Sequence, residues 1–585
     1  MHPSFISNSK VVNKEITVFA LTHAQTLLEI FAAAPFERRF LTEYSPGETQ
    51  PYRSYSFGEF LAKAEQFAGL YRQHEVAPRD KIVLVMRQGC ELMAAFVGAM
   101  IAGAVPTILA YPNFKVNPEK YKTGLLGVTR NIHATLVVVD EQFPEQLRSH
   151  IATTSGTTLI NFRSNTTEVS KPSISWFEPT PDDVAFIQHS AGTTGLQKGV
   201  ALSHRAILNQ LGHLADGLRI QNEDRIVSWL PLYHDMGQIA CFMLPLACHI
   251  PVVMQSPTDW VLDPLSMLHL ATKYRCTLCW VPNFAFQFMA RRAVSAELSG
   301  IDLSSLRAMI NCSEPVRADS MNEFLNAFQR AGLVKSVLQT SYAMAENTFA
   351  VTQSQLDGGA SPTTIWAERK PFLTEGEVRK TDGATLNAIA IVSCGKCLPG
   401  NSVRVLDRDQ NPLPDGKTGE LVIHSDSLFD GYYNRPDLTE KSFIEKWYRT
   451  GDIGFCYEGE VFVIGRRDDT IIIAGRNIYP QDVEEIVYSH INVHDGRAVA
   501  FGLWNDDLGT HQLVVVAEVN SEKDLEKSRE IESEIRSAIA KDLDIGPKFV
   551  RLVPPQWIIK STAGKPARSS NKQKFLAEFS DGHDS

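Results

Sequence analysis

Between residue 54 and about residue 345, short apolar runs alternate with longer helix-like stretches, and this alternation restricts the possible folds of the 585-residue chain more than any other feature. The runs Lys81–Met86, Val105–Leu109, Ala134–Asp140, Val184–Ile187, Ile226–Leu230, Ile250–Met254, Cys276–Val281 and Arg307–Ile310 are too short for helices and lack the every-second-residue polarity of a strand wetted on one face. Between them, Ser56–Gln73, residues 91–102, His204–Leu218 and Ala318–Ala331 carry apolar residues at helical spacing. Strands buried on both faces and joined through helices make doubly wound parallel sheets, an α/β architecture. Binding sites in such folds lie at the carboxyl ends of the strands.

The pattern changes further along. From about residue 396, and plainly from Gly419, strands are joined by Gly/Asp turns, as in GELVIHSDSLFDGYY and EGEVFVIGRRDDTIIIAGR. After the polar joint Arg466-Arg467-Asp468-Asp469 the spacing predicts an α+β unit, with a helix over Pro480–His490, strands near Ala498–Gly502 and Leu513–Val519, and a helix from about Leu525 to Ala540. We expect a large N-terminal domain of residues 1–465, β-rich from about 396, and a small C-terminal domain of residues 466–585.

Hydrophobic residues at 44% and charged ones at 21% support buried cores and exclude a disordered or collagen-like chain. With 57 Lys+Arg against 67 Asp+Glu the net charge is −10, which repels phosphate backbones and anionic lipid, so no nucleic-acid partner is expected. The apolar stretch Ile16–Ala24 is short and broken by threonines and a histidine. Leu92–Ala110 is long enough to span a bilayer, but Gly98, Gly103, Ala104 and Pro106 cut it where a helix would turn into a strand. The expectation is a cytoplasmic protein without stable membrane insertion. Nine cysteines make no disulfide scaffold. The pairs Cys276/Cys279 and Cys394/Cys397 are not read as a four-thiolate zinc site, because the first lies on an expected strand, where residues three apart face opposite sides, and so cannot join the turn that holds the second. No Gly-x-Ser-x-Gly elbow and no Gly-x-Gly-x-x-Gly occurs, which disfavours a hydrolase of that type or a dinucleotide enzyme.

The stretch Ser190-Ala-Gly-Thr-Thr-Gly-Leu-Gln-Lys-Gly-Val200 follows an expected strand and is expected to precede a helix. Its glycines free backbone N–H groups to turn inward, Thr193 and Thr194 add hydroxyls, and Lys198 adds positive charge, a combination suited to a polyphosphate. It is no Walker A loop, since Gln197 stands where glycine is required. The loop resembles the phosphate-binding motif of the adenylate-forming acyl and aryl acid:AMP ligases, with departures at Ala191 and Gln197. Further motifs of that family follow in order: Tyr342-Ala-Met-Ala-Glu346, Gly419-Glu-Leu, Gly431-Tyr-Tyr, Tyr448-Arg-Thr-Gly-Asp452, Gly465-Arg-Arg-Asp-Asp469 and Lys560-Ser-Thr-Ala-Gly-Lys565. Trp229-Leu-Pro-Leu-Tyr-His-Asp-Met-Gly237, Pro282-Asn-Phe-Ala285, Ser313-Glu-Pro-Val-Arg317 and Gly475-Arg-Asn-Ile-Tyr-Pro-Gln-Asp482 look like the fatty acyl-AMP ligases. Those carry an insertion after the Tyr…Glu motif; here 48 residues separate Glu346 from Gly395, and Phe372–Val378 resembles the insertion's end.

The resemblance implies roles. Glu346 would hold Mg²⁺; Thr193, Thr194, Gly195 and Lys198 would cradle the phosphates of ATP; Lys565 would reach the substrate carboxylate and the α-phosphate. Asp452 would accept from the ribose hydroxyls with Arg466 beside it, Tyr342 would stack on adenine, and the loop Asn311, Cys312, Ser313, Glu314, Pro315 would flank it. Ala343 stands where the family has glycine. His234 would lie beside the substrate carboxylate, and Asp468 matches the hinge about which the small domain swings, which makes that domain a mobile lid. Trp229, Met236, Cys241, Phe242, Phe284, Phe286 and Phe288 are candidate walls for an acyl tail. The implied activity is ATP-dependent activation of a fatty acid, then transfer to an acyl carrier protein or a polyketide or peptide synthase. Transfer to coenzyme A and nucleotide binding without catalysis are the alternatives. Lys560, Lys565, Arg568, Lys572 and Lys574, with no acidic residue among residues 560–575, form a candidate docking face for an acidic carrier protein.

Overall fold

The structure, a computed structural model, describes residues 23–112, 118–148, 151, 157–163, 174–189, 198–294, 298–356, 359–385, 388–473, 476–506, 508, 510–543, 545–560 and 566–579. Among these, the largest sheet runs from edge to edge through Lys396–Cys397, Ala350–Gln353, Leu338–Ala343, Ala308–Asn311, Leu278–Val281, Ile226–Ser228, Val252–Gln255, Arg39–Tyr44 and Tyr52–Ser56. Its interior, from Leu338–Ala343 to Arg39–Tyr44, is parallel. Antiparallel strands close both edges. A second sheet of Val105–Ile108, Lys81–Val85, Ala134–Asp140 and Thr158–Phe162 is parallel throughout. The expected α/β core is therefore present. Its antiparallel margin Tyr52–Ser56 has no fully buried position, so it leaves no apolar run in the sequence.

Leu92–Ala110 resolves into the helix Cys90–Ile101, nearly all of it buried, and the strand Val105–Ile108. Among the described residues no helix is long and apolar enough to cross a membrane; residues 16–22 of the earlier apolar stretch lie outside them. The helix Phe57–Gln73 begins where a capping box predicts, with Ser56 Oγ accepting from Glu59 N and the Glu59 carboxylate accepting from Ser56 N.

One local expectation is corrected. The Gly/Thr-rich segment does not lead into a helix. Strand Val184–His189 pairs antiparallel with strand Gly199–Ser203, His189 opposite Gly199, and only then does helix His204–Leu218 begin on its Ser203 cap. Gly199–Ser203 is buried at every position, which is why it joins a sheet rather than the amphipathic helix after it. Residues 190–197, including Thr193, Thr194 and Gly195, lie outside the described residues.

The β-rich part is an antiparallel sheet of Asn401–Leu406, Gly419–Ser425, Trp447–Tyr457, Phe443–Ile444 and Glu460–Arg466. The stretch that resembles the family's insertion packs against it. The hairpin Thr364–Glu368/Ala388–Val392 and the helix Arg369–Glu375 bury Ile365, Phe372, Leu373 and Val378 with Phe455, Phe462, Ile464 and Tyr479. Further on, Val493–Asn505, Thr510–Val519 and Phe549–Val553 form a sheet covered on one side by helices Pro480–Tyr488 and Ser528–Leu543 and on the other by Arg568–Phe579. The two apolar clusters on its faces draw only on residues from Ile471 onward.

Two buried histidines make the fold sensitive to acid. His204 Nδ1 accepts from Leu27 N at 3.2 Å, which requires that nitrogen unprotonated, and His189 Nδ1 shares a 2.8 Å hydrogen bond with Thr107 Oγ1. Burial pushes both rings from an ordinary 6.5 down to about 4. The unfolded chain then binds protons that the folded chain refuses. Their contribution to stability is complete above about pH 6.5 and is lost as pH falls toward 4, on the order of 3 kcal/mol for each ring. The thermal midpoint should fall across that window, and His204→Gln should flatten the fall; a parallel decline in wild type and variant would refute the assignment to His204.

Candidate active site

Among the described residues, His234, the loop from Asn311 and Tyr342 stand at the carboxyl ends of parallel strands. Ile226–Ser228 runs out into Trp229 and then a tight turn, Pro231 to Gly237, that delivers His234. A Cβ on Gly237 would lie 2.3 Å from Pro231 O, so only glycine closes this turn. His234 Nδ1 lies 2.5 Å from Asp235 Oδ1, and Asp235 accepts from Met236 N at 2.8 Å at the start of the π-helix Met236–Met243. Strand Ala308–Asn311 ends in the loop of Ser313-Glu-Pro-Val-Arg317. Asn311 and Cys312 are fully buried, and Asn311 Nδ2 donates to Asn283 Oδ1 at 2.9 Å. Glu314 accepts from Phe284 N at 3.0 Å. Side chains of Ser313, Glu314 and Pro315 remain partly exposed, so these are the loop's groups open to a ligand.

Strand Leu338–Ala343 brings Tyr342 to the same rim. Its hydroxyl donates to Asp452 Oδ2 at 2.5 Å, and Arg466 Nε lies 3.0 Å from Asp452 Oδ1. Asp452 and Arg466 are cross-strand neighbours in the β-rich sheet. Gly451, at φ +71°, gives the strand the left-handed step between Thr450 and Asp452, and Thr450 Oγ1 accepts from Asp452 N at 3.0 Å. Burial first, and then the Asp452 charge, raise the Tyr342 phenol well above its ordinary pKa, so it remains a donor. The Asp452 carboxylate in turn raises the Arg466 guanidinium. Each carboxylate oxygen with one partner keeps a second lone-pair direction for a ligand hydroxyl. Ala343, the departure from glycine, sits at the register shift between Tyr342 and its pairing with Ala350.

Four residues beyond Tyr342, Glu346 lies on a short 3₁₀ turn. Tyr432 Oη donates to Glu346 Oε1 at 2.7 Å and lies 3.1 Å from Tyr448 Oη, while Lys198 Nζ sits 4.7 Å over the Tyr432 ring. Among the described residues Glu346 makes no ion pair, and no group of three or more His, Cys, Asp or Glu side chains is placed to hold a metal by itself. One partly exposed hard-oxygen carboxylate fits Mg²⁺, which takes one or two protein carboxylates and completes its shell with water and substrate phosphates. Tyr432 and Tyr448 stand in motifs that the sequence reading quoted without assigning them a role. Tyr432 reaches Glu346 across 86 positions of chain, and no local pattern reports it.

Asp468 lies in the turn after Arg466, its side chain 89% exposed. Across this joint Arg317 pairs with Asp482 and Glu485 and Tyr479 packs among Phe372, Phe455, Phe462 and Ile464, while beyond it Arg568 pairs with Asp469 at 2.9 Å and Glu484 at 2.7 Å. The expected basic docking face is therefore narrowed at Arg568. Arg568 is spent on those two carboxylates, Lys572 Nζ donates to Gly502 O, and Lys574 Nζ donates to Trp557 O. Lys565 lies outside the described residues. The candidate acyl walls also divide. Phe242 packs on Phe60 and Phe96, Phe286 packs on Phe324, and Cys241 is fully buried, so these three are core. Phe284 and Phe288, four residues apart on helix Asn283–Val294, turn the other way onto Trp260, which stacks face to face on Trp229 at 3.7 Å. With Phe284 42% and Phe288 37% exposed, this aromatic cluster reaches the surface, and Met236 Sδ lies 3.8 Å from Ser313 Oγ.

Comparison with known proteins defines the class of this protein. The model of the AMP-binding enzyme family matches residues 29–433, and the chain belongs to that family: it is an ATP-using, adenylate-forming ligase. Within it, the chain is most like the fatty acyl-AMP ligases. It is 29% identical over 550 residues to the medium-chain-fatty-acid–[acyl-carrier-protein] ligase JamA of Moorena producens, covering 89% of this chain and 90% of that protein. It is 28% identical over 529 residues to the long-chain-fatty-acid–AMP ligase FadD26 of Mycobacterium bovis, covering 86% and 88%. A solved chain from studies of the fatty acyl-adenylate ligases of E. coli and L. pneumophila superposes with a TM-score of 0.88 at 24% identity, over 96% of this chain and 99% of that one, which establishes the shared fold.

Proposed function

We propose that this protein joins a medium- or long-chain fatty acid to AMP and passes the acyl group to the phosphopantetheine thiol of an acyl carrier protein or of a polyketide or peptide synthase. The observation that carries this reading is the pairing of two clusters on one rim: Tyr342–Asp452–Arg466 for the nucleoside and Glu346–Tyr432–Lys198 for the phosphates. The acid arrives ionised, so no base is needed; the barrier lies in bringing two anions together and in the charge that develops as pyrophosphate leaves. A carboxylate oxygen bonds to the α-phosphorus, and the bond to the β-phosphate oxygen breaks with its electron pair on pyrophosphate. Mg²⁺, when bound, would neutralise phosphate charge, with Glu346 holding it. In our reading Asp452 accepts from the ribose, the Tyr342 ring and the loop from Asn311 to Pro315 frame the adenine, and His234 faces the acid. Thr193, Thr194, Gly195 and Lys198 receive the phosphates, and Lys565 bridges carboxylate and α-phosphate. The acyl tail lies along Met236 and the Trp229–Trp260 stack toward Phe284 and Phe288.

We read residues 1–465 as the adenylating body and residues 466–585 as a lid that turns about Asp468, first delivering Lys565 and then admitting the thiol. The two apolar clusters drawn only from residues from Ile471 onward support this division. The relatives named for carrier-protein and AMP ligation support the acceptor. We place the reaction in the cytoplasm, where ATP is supplied. Incubation with ATP, Mg²⁺ and a fatty-acid panel should release pyrophosphate and yield acyl-AMP that converts with carrier protein and not with coenzyme A. Efficient acyl-coenzyme A formation would overturn the acceptor, and no pyrophosphate release with any acid would overturn the enzyme reading.

A further inference from the structure

Tyr432 belongs to a two-residue strand, Gly431–Tyr432, that pairs antiparallel with Gly199–Ser203, the strand leaving the phosphate-binding segment. Tyr433 N also donates to Gly199 O at 2.7 Å, so this piece of chain is fixed directly beside Lys198. The same piece grips Glu346 through backbone and side chain at once: Phe429 N donates to Glu346 O at 2.9 Å, and Tyr432 Oη donates to Glu346 Oε1 at 2.7 Å. The phenol is held on its other sides. Tyr448 Oη supplies a hydroxyl partner at 3.1 Å, Phe429 packs edge-on against the Tyr432 ring at 4.9 Å, and the residue is 4% exposed. Past Glu346, Thr348 sits at φ +58°, a costly value for a β-branched residue, and its hydroxyl is tied to Ser427 O at 2.8 Å. The whole turn carrying Glu346 is thus bound to residues 427–432.

We propose that Tyr432 is a positioning residue that sets the Glu346 carboxylate and the Lys198 ammonium at a fixed separation and keeps them from neutralising each other. Its hydroxyl occupies Oε1 of Glu346 and leaves Oε2 for a metal. Its ring face takes the lysine cation, an attraction that needs no counter-ion. A carboxylate and an ammonium without this ring between them would pair, and each would be lost to the triphosphate: the carboxylate as a cation ligand and the ammonium as a phosphate donor. The inference deepens the adenylation reading and rests on it.

The test separates hydroxyl from ring and metal from nucleotide. ATP affinity is measured by calorimetry without Mg²⁺ and with saturating Mg²⁺, on wild type, Tyr432→Phe, Tyr432→Leu and Tyr448→Phe. Tyr432→Phe keeps the ring and should leave Mg²⁺-free affinity within about twofold while cutting the Mg²⁺-dependent gain about tenfold or more, the effect of losing a hydrogen bond to a charged acceptor. Tyr432→Leu should lose affinity in both conditions. Tyr448→Phe, which removes only the outer hydroxyl, should shift the Mg²⁺ gain in the same direction by less. An unchanged Mg²⁺ gain in Tyr432→Phe, or equal losses with and without Mg²⁺ in that variant, would overturn the proposal while leaving the adenylation reading intact. A wild type that binds no ATP in either condition would overturn both.

Discussion

Asp452→Asn should lower kcat/KM for ATP by about 10²–10³-fold, with most of the loss in KM for ATP and little in KM for the fatty acid. The substitution is nearly isosteric, so its effect comes from charge. In the structure Asp452 accepts from Tyr342 at 2.5 Å and is paired with Arg466 at 3.0 Å, in a largely buried position. An amide can accept through one atom only, so it either turns its NH₂ toward Arg466 or presents it to the Tyr342 hydroxyl. Either choice frees Arg466 from its counter-ion and removes the acceptor proposed for the ribose. Hydrogen bonds to charged groups are worth about 1.5–3 kcal/mol each, and more than one is lost. Tyr342→Phe removes one donor and leaves the carboxylate, so its loss should be about tenfold or less. Pyrophosphate release at varied ATP decides the matter. A loss under fivefold in Asp452→Asn would show that this carboxylate serves only the sheet.

Lys565→Ala should cut acyl-AMP formation by about a thousandfold or more, while transfer from supplied acyl-AMP to carrier protein stays within a few-fold of wild type. The chain on either side of residues 561–565 is tied together. Lys560 and Pro566 form an antiparallel bridge, and Ala567 N donates to Ile559 O at 2.9 Å. Asn571, fully buried, accepts from Ile559 N and donates to both Ile559 O and Ala567 O, so it clamps Ile559 to Ala567. Single-turnover assays on the two half-reactions separate the roles. Equal losses in both would refute the two-pose account of the lid, because one fixed pose would then serve both steps.

Much of this molecule was legible along the chain. The buried parallel strands announced themselves as short apolar runs: Ala134–Asp140 forms as read, and Ile226–Ser228 and Leu278–Val281 form within the expected runs. Burial on both faces demands apolar side chains at consecutive positions. Helix His204–Leu218 was visible for the complementary reason, a single apolar face at helical spacing. Strand Gly199–Ser203 was missed because five buried residues between a Gly/Thr-rich segment and a helix have the same composition whether they extend the helix or join a hairpin. The basic run from Lys560 to Lys574 misled for another reason. Formal charge is read from sequence, but whether Arg568 faces solvent or the carboxylates of Glu484 and Asp469 depends on elements 84 and 99 positions away.

The sequence alone determined the fold class, because strands buried on both faces impose apolar residues at consecutive positions, and its ordered motifs, through their resemblance to the adenylate-forming ligases, made Asp452, Arg466, Tyr342 and Glu346 candidates. Tertiary structure alone decided which candidates meet. That the Tyr342 hydroxyl serves Asp452, that Phe284 and Phe288 join Trp260 while Phe242 and Phe286 do not, and that Tyr432 meets both Glu346 and Lys198 are all contacts between distant parts of the chain. Hydrogen bonds and ring contacts act over a few ångströms of space, and the fold, not the order of residues, sets those distances.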